Sequence, residues 1–203
     1  MAFDHMTDAV IVGAINSVLW LLIGARIVER RRQLQQRPEP VDSVTAPRAD
    51  FVLIFVSVSL ALYYVVYVTW LIRPGLAGPY LFDPNVVSAS IGIVLAVVTL
   101  GLVAWAYRVF GSWRLLARID DGHELITDGP FTLVRHPIYT GIVGAYVSTL
   151  LVVPTVGFVV AVVVIAAAHD IRAREEERLL ATVFGERYVR YMGSTKRFLP
   201  AVY

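Results

Sequence analysis

The stretch IYTGIVGAYVSTLLVVPTVGFVVAVVVIAAA, residues 138–168, decides the fold. It contains no Asp, Glu, Lys, Arg or His. One membrane crossing takes roughly 20 apolar residues for a hydrocarbon core of about 30 Å, so the run is too long for a single span. Pro154 lies near its middle, where a missing N–H and a fixed φ stop a helix. Two helices joined by a tight turn are the expected outcome. Three more long apolar runs precede it, at 9–25, 51–72 and 86–107. The expectation is an all-α integral membrane protein with five transmembrane helices.

Composition agrees, with 57% hydrophobic residues. The 203 residues leave room for one membrane domain, in which 1–119 supplies three spans and an interfacial helix and 120–203 supplies the catalytic region with a helical hairpin. The first eight residues carry Asp4 and Asp8 and no Lys or Arg. A secretory signal has a basic start, so 9–27 reads as a retained helix. The absence of Cys excludes disulfides, iron–sulfur clusters and thiolate nucleophiles.

Charge sets the expected orientation. Of 18 Lys and Arg, only Arg73 falls in a connector expected outside; the rest lie at 26–48, at 108–135 and from Arg172 onward. Short loops rich in Lys and Arg stay cytoplasmic, which predicts a multi-pass plasma-membrane or inner-membrane protein, N-terminus outside and C-terminus in the cytoplasm. The net charge of +2 is small, and its basic side suits anionic headgroups rather than nucleic acid.

Several segments have readings of their own. Residues 33–47 are polar and hold three Pro, a flexible loop. Tyr63, Tyr64, Tyr67 and Trp70 sit toward one end of the second run and read as an interfacial aromatic belt. Gly92 and Gly101 are candidates for close helix contact. Residues 108–119 interleave Arg108, Arg114 and Arg118 with Phe110, Trp113, Leu115 and Leu116, the pattern of an amphipathic helix in the inner interface. Residues 120–131 are polar and turn-rich between membrane segments. Irregular backbone there must be covered by protein or line a wet cavity.

Two clusters carry chemistry. Residues 135–141 read Arg-His-Pro-Ile-Tyr-Thr-Gly at the mouth of a span. Pro137 makes a good helix start, and Arg135 is placed to meet a headgroup phosphate. His136 and Tyr139 are polar side chains one turn apart at membrane depth, which is costly and marks function by default. The second cluster is Arg172 with Glu175, Glu176 and Glu177. Arg172 and Glu176, spaced i, i+4, share a helix face, whereas Glu177 points about 100° away. The same run also reads as a solvated face laced by ion pairs.

Taken in order, these pieces resemble the isoprenylcysteine carboxyl methyltransferase family, which is related to the phospholipid methyltransferases. The resemblance rests on His123-Glu124-Leu125-Ile126-Thr127-Asp128-Gly129-Pro130-Phe131, then residues 135–141, then Arg172 with Glu176, Glu177 and Leu180, then Phe184-Gly185 with Tyr188 and Tyr191. It covers about 80 residues of 203, and the family's usual Tyr is Phe131 here. It implies S-adenosylmethionine bound at the cytoplasmic face, in a pocket built from the loop before the fourth helix and the C-terminal helices. The cofactor residues it implies are His123, Glu124, Leu125, Ile126, Phe131, His136, Pro137, Tyr139, Gly141 and Glu176. Arg172 would face the substrate, a lipophilic small molecule or prenylated acceptor, and Arg172 with Glu176 would carry catalysis. No metal is implied. A carboxylate acceptor is ionised at neutral pH and needs a cation to hold it, whereas an amine needs a base; the shared face of Arg172 and Glu176 favours the carboxylate. A phospholipid-amine N-methyltransferase, an NADPH-dependent sterol or lipid reductase and a non-catalytic scaffold are the alternatives.

Overall fold

A computed structural model describes residues 4–35, 43–45, 48–109, 118–120 and 125–203. Among these residues six helices follow one another: α1 (His5–Gln35), α2 (Ala49–Ile72), α3 (Val86–Val109), α4 (Pro137–Val152), α5 (Val156–Phe184) and α6 (Glu186–Ser194). Short 3-10 turns occupy Pro74–Ala77 and Gly129–Thr132. Two three-residue strands, β1 (Ser43–Thr45) and β2 (Arg118–Asp120), pair antiparallel. They modify the all-helical expectation in a specific place: Arg118 and Ile119 were expected to end an interfacial helix and instead lie in a strand, while 110–117 fall outside the described residues.

Among the described residues, four helices are long and apolar enough to cross a membrane, α1, α2, α3 and α5. The run at 138–168 does divide at Pro154, but α4 has 16 residues. At 1.5 Å per residue it is about 24 Å long, short of the ~30 Å core. It also differs from the others in being enclosed. Ile138, Ile142, Ala145, Tyr146, Thr149 and Val152 are all buried. Large apolar side chains such as Leu21, Phe51, Ile54, Val65, Val94, Val97 and Val163 instead point outward from the four long helices. In water such a perimeter would be a large exposed apolar patch, and in lipid it is the expected exterior.

Polar groups are turned inward. Asn16 donates to the Tyr63 hydroxyl at 3.1 Å, and Tyr63 donates to Thr149 Oγ1 at 2.9 Å. Tyr64 donates to Asn16 Oδ1 at 2.9 Å. Tyr63 and Trp70 are fully buried and pack edge-on against Phe158, at 5.5 and 6.1 Å between ring centroids. These two aromatics therefore form the core and not an interfacial belt. The period that places them on one face of α2 cannot say whether that face meets lipid or α5.

Small residues set how closely α3 and α4 approach. A Cβ at Gly141 would lie 2.5 Å from Val103 Cγ2 and 2.7 Å from the Thr99 carbonyl. At Gly92 it would meet the Ser148 carbonyl at 2.8 Å, and at Gly144 it would meet Thr99 Cγ2 at 2.3 Å. Among the described residues a Cβ at Gly101 would have nothing within 4 Å, so of the two glycines expected at a helix contact Gly92 is the one seen to make it.

The two ends of the bundle are distinct. At one, the Leu81 N–H donates to the Pro154 carbonyl and Val156 to Pro79, joining the α2–α3 connector to the α4–α5 turn. At the other lie the start of α4 and the polar continuation of α5. About 20 residues from Val156 suffice to cross a bilayer, so the 29-residue α5 carries its last turns beyond it.

Candidate functional site

Pro137 is the first residue of α4 and forces His136 out of the helical region, to φ −123° and ψ 62°. The backbone N–H groups ahead of Pro137 then need partners. The C-terminal segment supplies them: Arg135 donates to the Lys196 carbonyl at 2.8 Å and His136 to that of Arg197 at 3.1 Å. The Thr140 hydroxyl donates to the Phe198 carbonyl at 3.0 Å. The Arg135 guanidinium donates to the carbonyls of Met192 and Thr195.

Against this corner lies the polar face of α5. Tyr139 donates to Glu176 Oε1 at 2.5 Å, and Arg172 Nε donates to the same oxygen at 3.1 Å. Glu176 Oε2 lies 3.7 Å from His136 Nδ1. The His136 and Tyr139 rings stack at 5.5 Å with 6° between their planes, and the Arg172 guanidinium covers Tyr139 at 5.2 Å. Four expected site residues, His136, Tyr139, Arg172 and Glu176, thus meet at one point. A cleft of about 40 Å³ opens there, lined by Phe131, His136, Pro137, Tyr139 and Glu176 among others.

Other expected residues lie elsewhere. Leu125 is buried, and Ile126 packs against the main core; neither lines the cleft. Gly141 faces α3, where the close approach to Val103 accounts for its lack of a side chain. His123 and Glu124 fall outside the described residues. Phe131 reaches the cleft from the 3-10 turn, and its carbonyl accepts a bond from the Tyr191 hydroxyl at 2.6 Å.

Glu177 corrects the reading of the acidic run. It is buried and accepts from Arg135 Nε at 3.0 Å, from Arg197 Nε at 3.0 Å and from Arg197 Nη2 at 2.7 Å. His136 Nε2 lies 3.2 Å from it. Arg197 also donates to Asp170 at 3.1 Å and to the Tyr203 hydroxyl at 2.7 Å. Arg135 therefore meets a carboxylate and two carbonyls within the protein. The bond to Glu177 holds the Arg197 pKa above its ordinary value. Burial raises the hydroxyl pKa of Tyr188 and Tyr191. Tyr188 is almost wholly enclosed, and among the described residues its hydroxyl has no hydrogen-bond partner.

Sequence reasoning missed Glu177, Arg197, Asp170 and Tyr203 as parts of the site. One available signal was the basic cluster Lys196-Arg197 following an acidic helix, but spacing along the chain does not show that the tail folds back. Among the described residues no cluster of His, Asp or Glu is arranged to hold a metal ion.

The lining chemistry fits the polar groups of a sulfonium nucleoside. A carboxylate can accept from ribose hydroxyls or pair with a cation, an imidazole can bond a ligand carboxylate, and Phe131 and Tyr139 offer aromatic faces. The described cleft by itself has room for a fragment of such a ligand.

Residues 87–187 match the phospholipid methyltransferase family. The matched region runs from α3 through α5 and contains His136, Tyr139, Arg172, Glu176 and Glu177. No curated protein matches the chain.

Proposed function

For this chain, related through residues 87–187 to the phospholipid methyltransferases, we propose methyl transfer from S-adenosylmethionine to a lipophilic acceptor at the membrane surface. The acceptor group is a carboxylate, as in isoprenylcysteine O-methylation. The single observation behind the reading is Glu176, held by Tyr139 and Arg172 beside His136 and lining a cleft at the inner end of α4.

When bound, the cofactor supplies the methyl group from its sulfonium centre. The chain's task is then proximity and alignment. Glu176 accepts from cofactor hydroxyls or its cationic part through the oxygen not engaged by Tyr139. His136 is held by Glu177 and turned toward the cleft. Arg172 is buried with its Nε on Glu176, and in this reading its guanidinium charge faces an anionic acceptor. In that setting a charge-assisted bond orients the nucleophile and no base is required. His123 and Glu124 complete the cofactor site in this reading.

The domain acts as one unit, with α4 as a fifth crossing alongside α3, the N-terminus outside and the catalytic end cytoplasmic. The family match favours a second reading, N-methylation of a phospholipid amine. A reductase fits less well: Arg135 and Arg197, which would serve the phosphates of NADPH, are already committed to Glu177 and Asp170.

Thermal unfolding of the purified protein with S-adenosylhomocysteine, with NADPH and with neither tests the cofactor. At 100-fold above its dissociation constant a bound ligand adds about 2.7 kcal/mol; stabilisation by NADPH alone would overturn the reading. Labelling membranes with a methyl-labelled donor then separates the acceptors. A methyl ester releases volatile methanol in base, and an N-methyl group does not.

A further inference from the structure

Arg197 holds His136 by two independent routes. Its carbonyl accepts the His136 backbone N–H at 3.1 Å. Its guanidinium grips Glu177, whose Oε1 lies 3.2 Å from His136 Nε2. Asp170 and Glu177 are close to two full turns apart on α5, so they face the same way. The Arg197 guanidinium lies across both. Nε meets Glu177 Oε1 at 3.0 Å, Nη2 meets Glu177 Oε2 at 2.7 Å and Nη1 meets Asp170 Oδ1 at 3.1 Å. Nη1 also donates to the Tyr203 hydroxyl at 2.7 Å, and that hydroxyl donates to Asp170 at 2.9 Å. The Tyr203 ring lies 5.3 Å under the guanidinium.

The two arginines on Glu177 do not do the same thing. Arg135 Nε and Nη2 both reach Oε1, at 3.0 and 2.9 Å. Among the described residues Arg197 alone reaches Oε2. A carboxylate held by one oxygen can turn about its Cγ–Cδ bond, whereas a fork on both oxygens fixes its plane. That plane aims Oε1 at His136 Nε2. An ionised carboxylate can only accept, so Nε2 carries a proton. The other ring nitrogen, Nδ1, is then the one beside Glu176, 3.7 Å from its Oε2. His136 and Glu176 line the cleft, and Arg197 does not.

Resting on the reading of this cleft as the cofactor site, we infer that Arg197 is a positioning residue of that site. It fixes the plane of the Glu177 carboxylate and, through it, the ring orientation of His136 and the proton on Nε2. Asp170 and Tyr203 keep the guanidinium in place from its other edge. Arg197 lies beyond the matched residues 87–187, so the precision of the site draws on a segment outside the family match. The contribution is geometric. A Lys at this position keeps the charge but presents a point and not a fork, and the backbone bond to His136 is the same in either case.

The test reads the ring itself. Full-length protein carrying histidine labelled with the heavy nitrogen isotope is purified in neutral detergent, and the His136 ring signals are assigned by their absence from His136→Asn. At about pH 8, above the ordinary histidine range, Nε2 of His136 should give the signal of a protonated nitrogen. Arg197→Lys should draw the two ring nitrogens toward an averaged position, as the ring gains both tautomers. The same variant should weaken S-adenosylhomocysteine in calorimetry by about tenfold, the size of one charge-assisted bond. Gly92→Ala is the control for lost stability: it overpacks the far end of α4, where the added Cβ would meet the Ser148 carbonyl at 2.8 Å. It should lower the unfolding temperature and leave both the His136 signals and the affinity as in wild type. Tyr203→Phe, at an exposed side chain, removes one partner of Arg197 Nη1 and should shift the signals the same way by less; it decides the matter if Arg197→Lys does not fold. A bare Nε2 in the wild type overturns the proposal. So do His136 signals unmoved by these substitutions, or moved as far by Gly92→Ala. If the signals respond as expected and the wild type binds no S-adenosylhomocysteine, the hold of Arg197 on His136 stands and the cofactor reading falls.

Discussion

Glu176 and Glu177 are neighbours in sequence and do different work. Glu176 reaches the cleft, and Glu177 is buried beneath His136 between Arg135 and Arg197. Glu176→Gln should abolish S-adenosylhomocysteine binding in calorimetry while the unfolding temperature stays near wild type; retained micromolar affinity would remove it from the site. Arg172→Ala should leave cofactor binding in place and stop methyl transfer, since Tyr139 still holds Glu176. Equal loss of both would make Arg172 a structural residue. Glu177→Gln should act mainly on stability. Breaking a buried ion pair by removing one partner costs on the order of 3 kcal/mol, and here Arg135 and Arg197 would both lose the Glu177 carboxylate, Arg197 keeping Asp170. That loss should appear as a lower midpoint in denaturation of the detergent-solubilised protein. The i, i+4 spacing of Arg172 and Glu176 made their pairing legible in the sequence. The partner of Glu177 was not legible, because Arg197 arrives from a segment 20 residues further on.

The helices show a similar division. Apolar runs and Pro154 located α2, α3, α4 and α5, because chain length and charge-free composition report directly on what a helix can cross. Which face of each helix meets protein did not follow, because an all-apolar helix has no polar side to mark it. The glycines make this measurable. Gly141→Ala requires the Thr99 backbone or Val103 to move, and overpacking of this kind costs about 1–3 kcal/mol. Gly101→Ala meets nothing and should gain up to about 1 kcal/mol from the better helix propensity of Ala. Opposite shifts in unfolding temperature for the two substitutions would confirm the α3–α4 contact. Matching shifts would contradict it.

At the scale of the whole molecule, the two ends of the bundle carry different chemistry, and their orientation is testable because the chain has no Cys. A single Cys introduced as Asp83→Cys should react with an impermeant thiol reagent in intact cells. One introduced as Arg190→Cys should react only after lysis, and the reverse pattern would invert the topology. The sequence by itself determined a helical membrane protein, since hydrophobic length is a local property that survives any arrangement of the helices. It also marked His136, Tyr139, Arg172 and Glu176 as site residues, through polar groups at membrane depth and one helical repeat. Only the tertiary structure decided that Tyr63 and Trp70 are core, that the C-terminal segment braces the start of α4, and that Glu177 anchors His136. Each of these depends on contacts between segments far apart in the chain. A buried charge or phenol is set by the partners that surround it, and those partners are chosen by packing rather than by spacing.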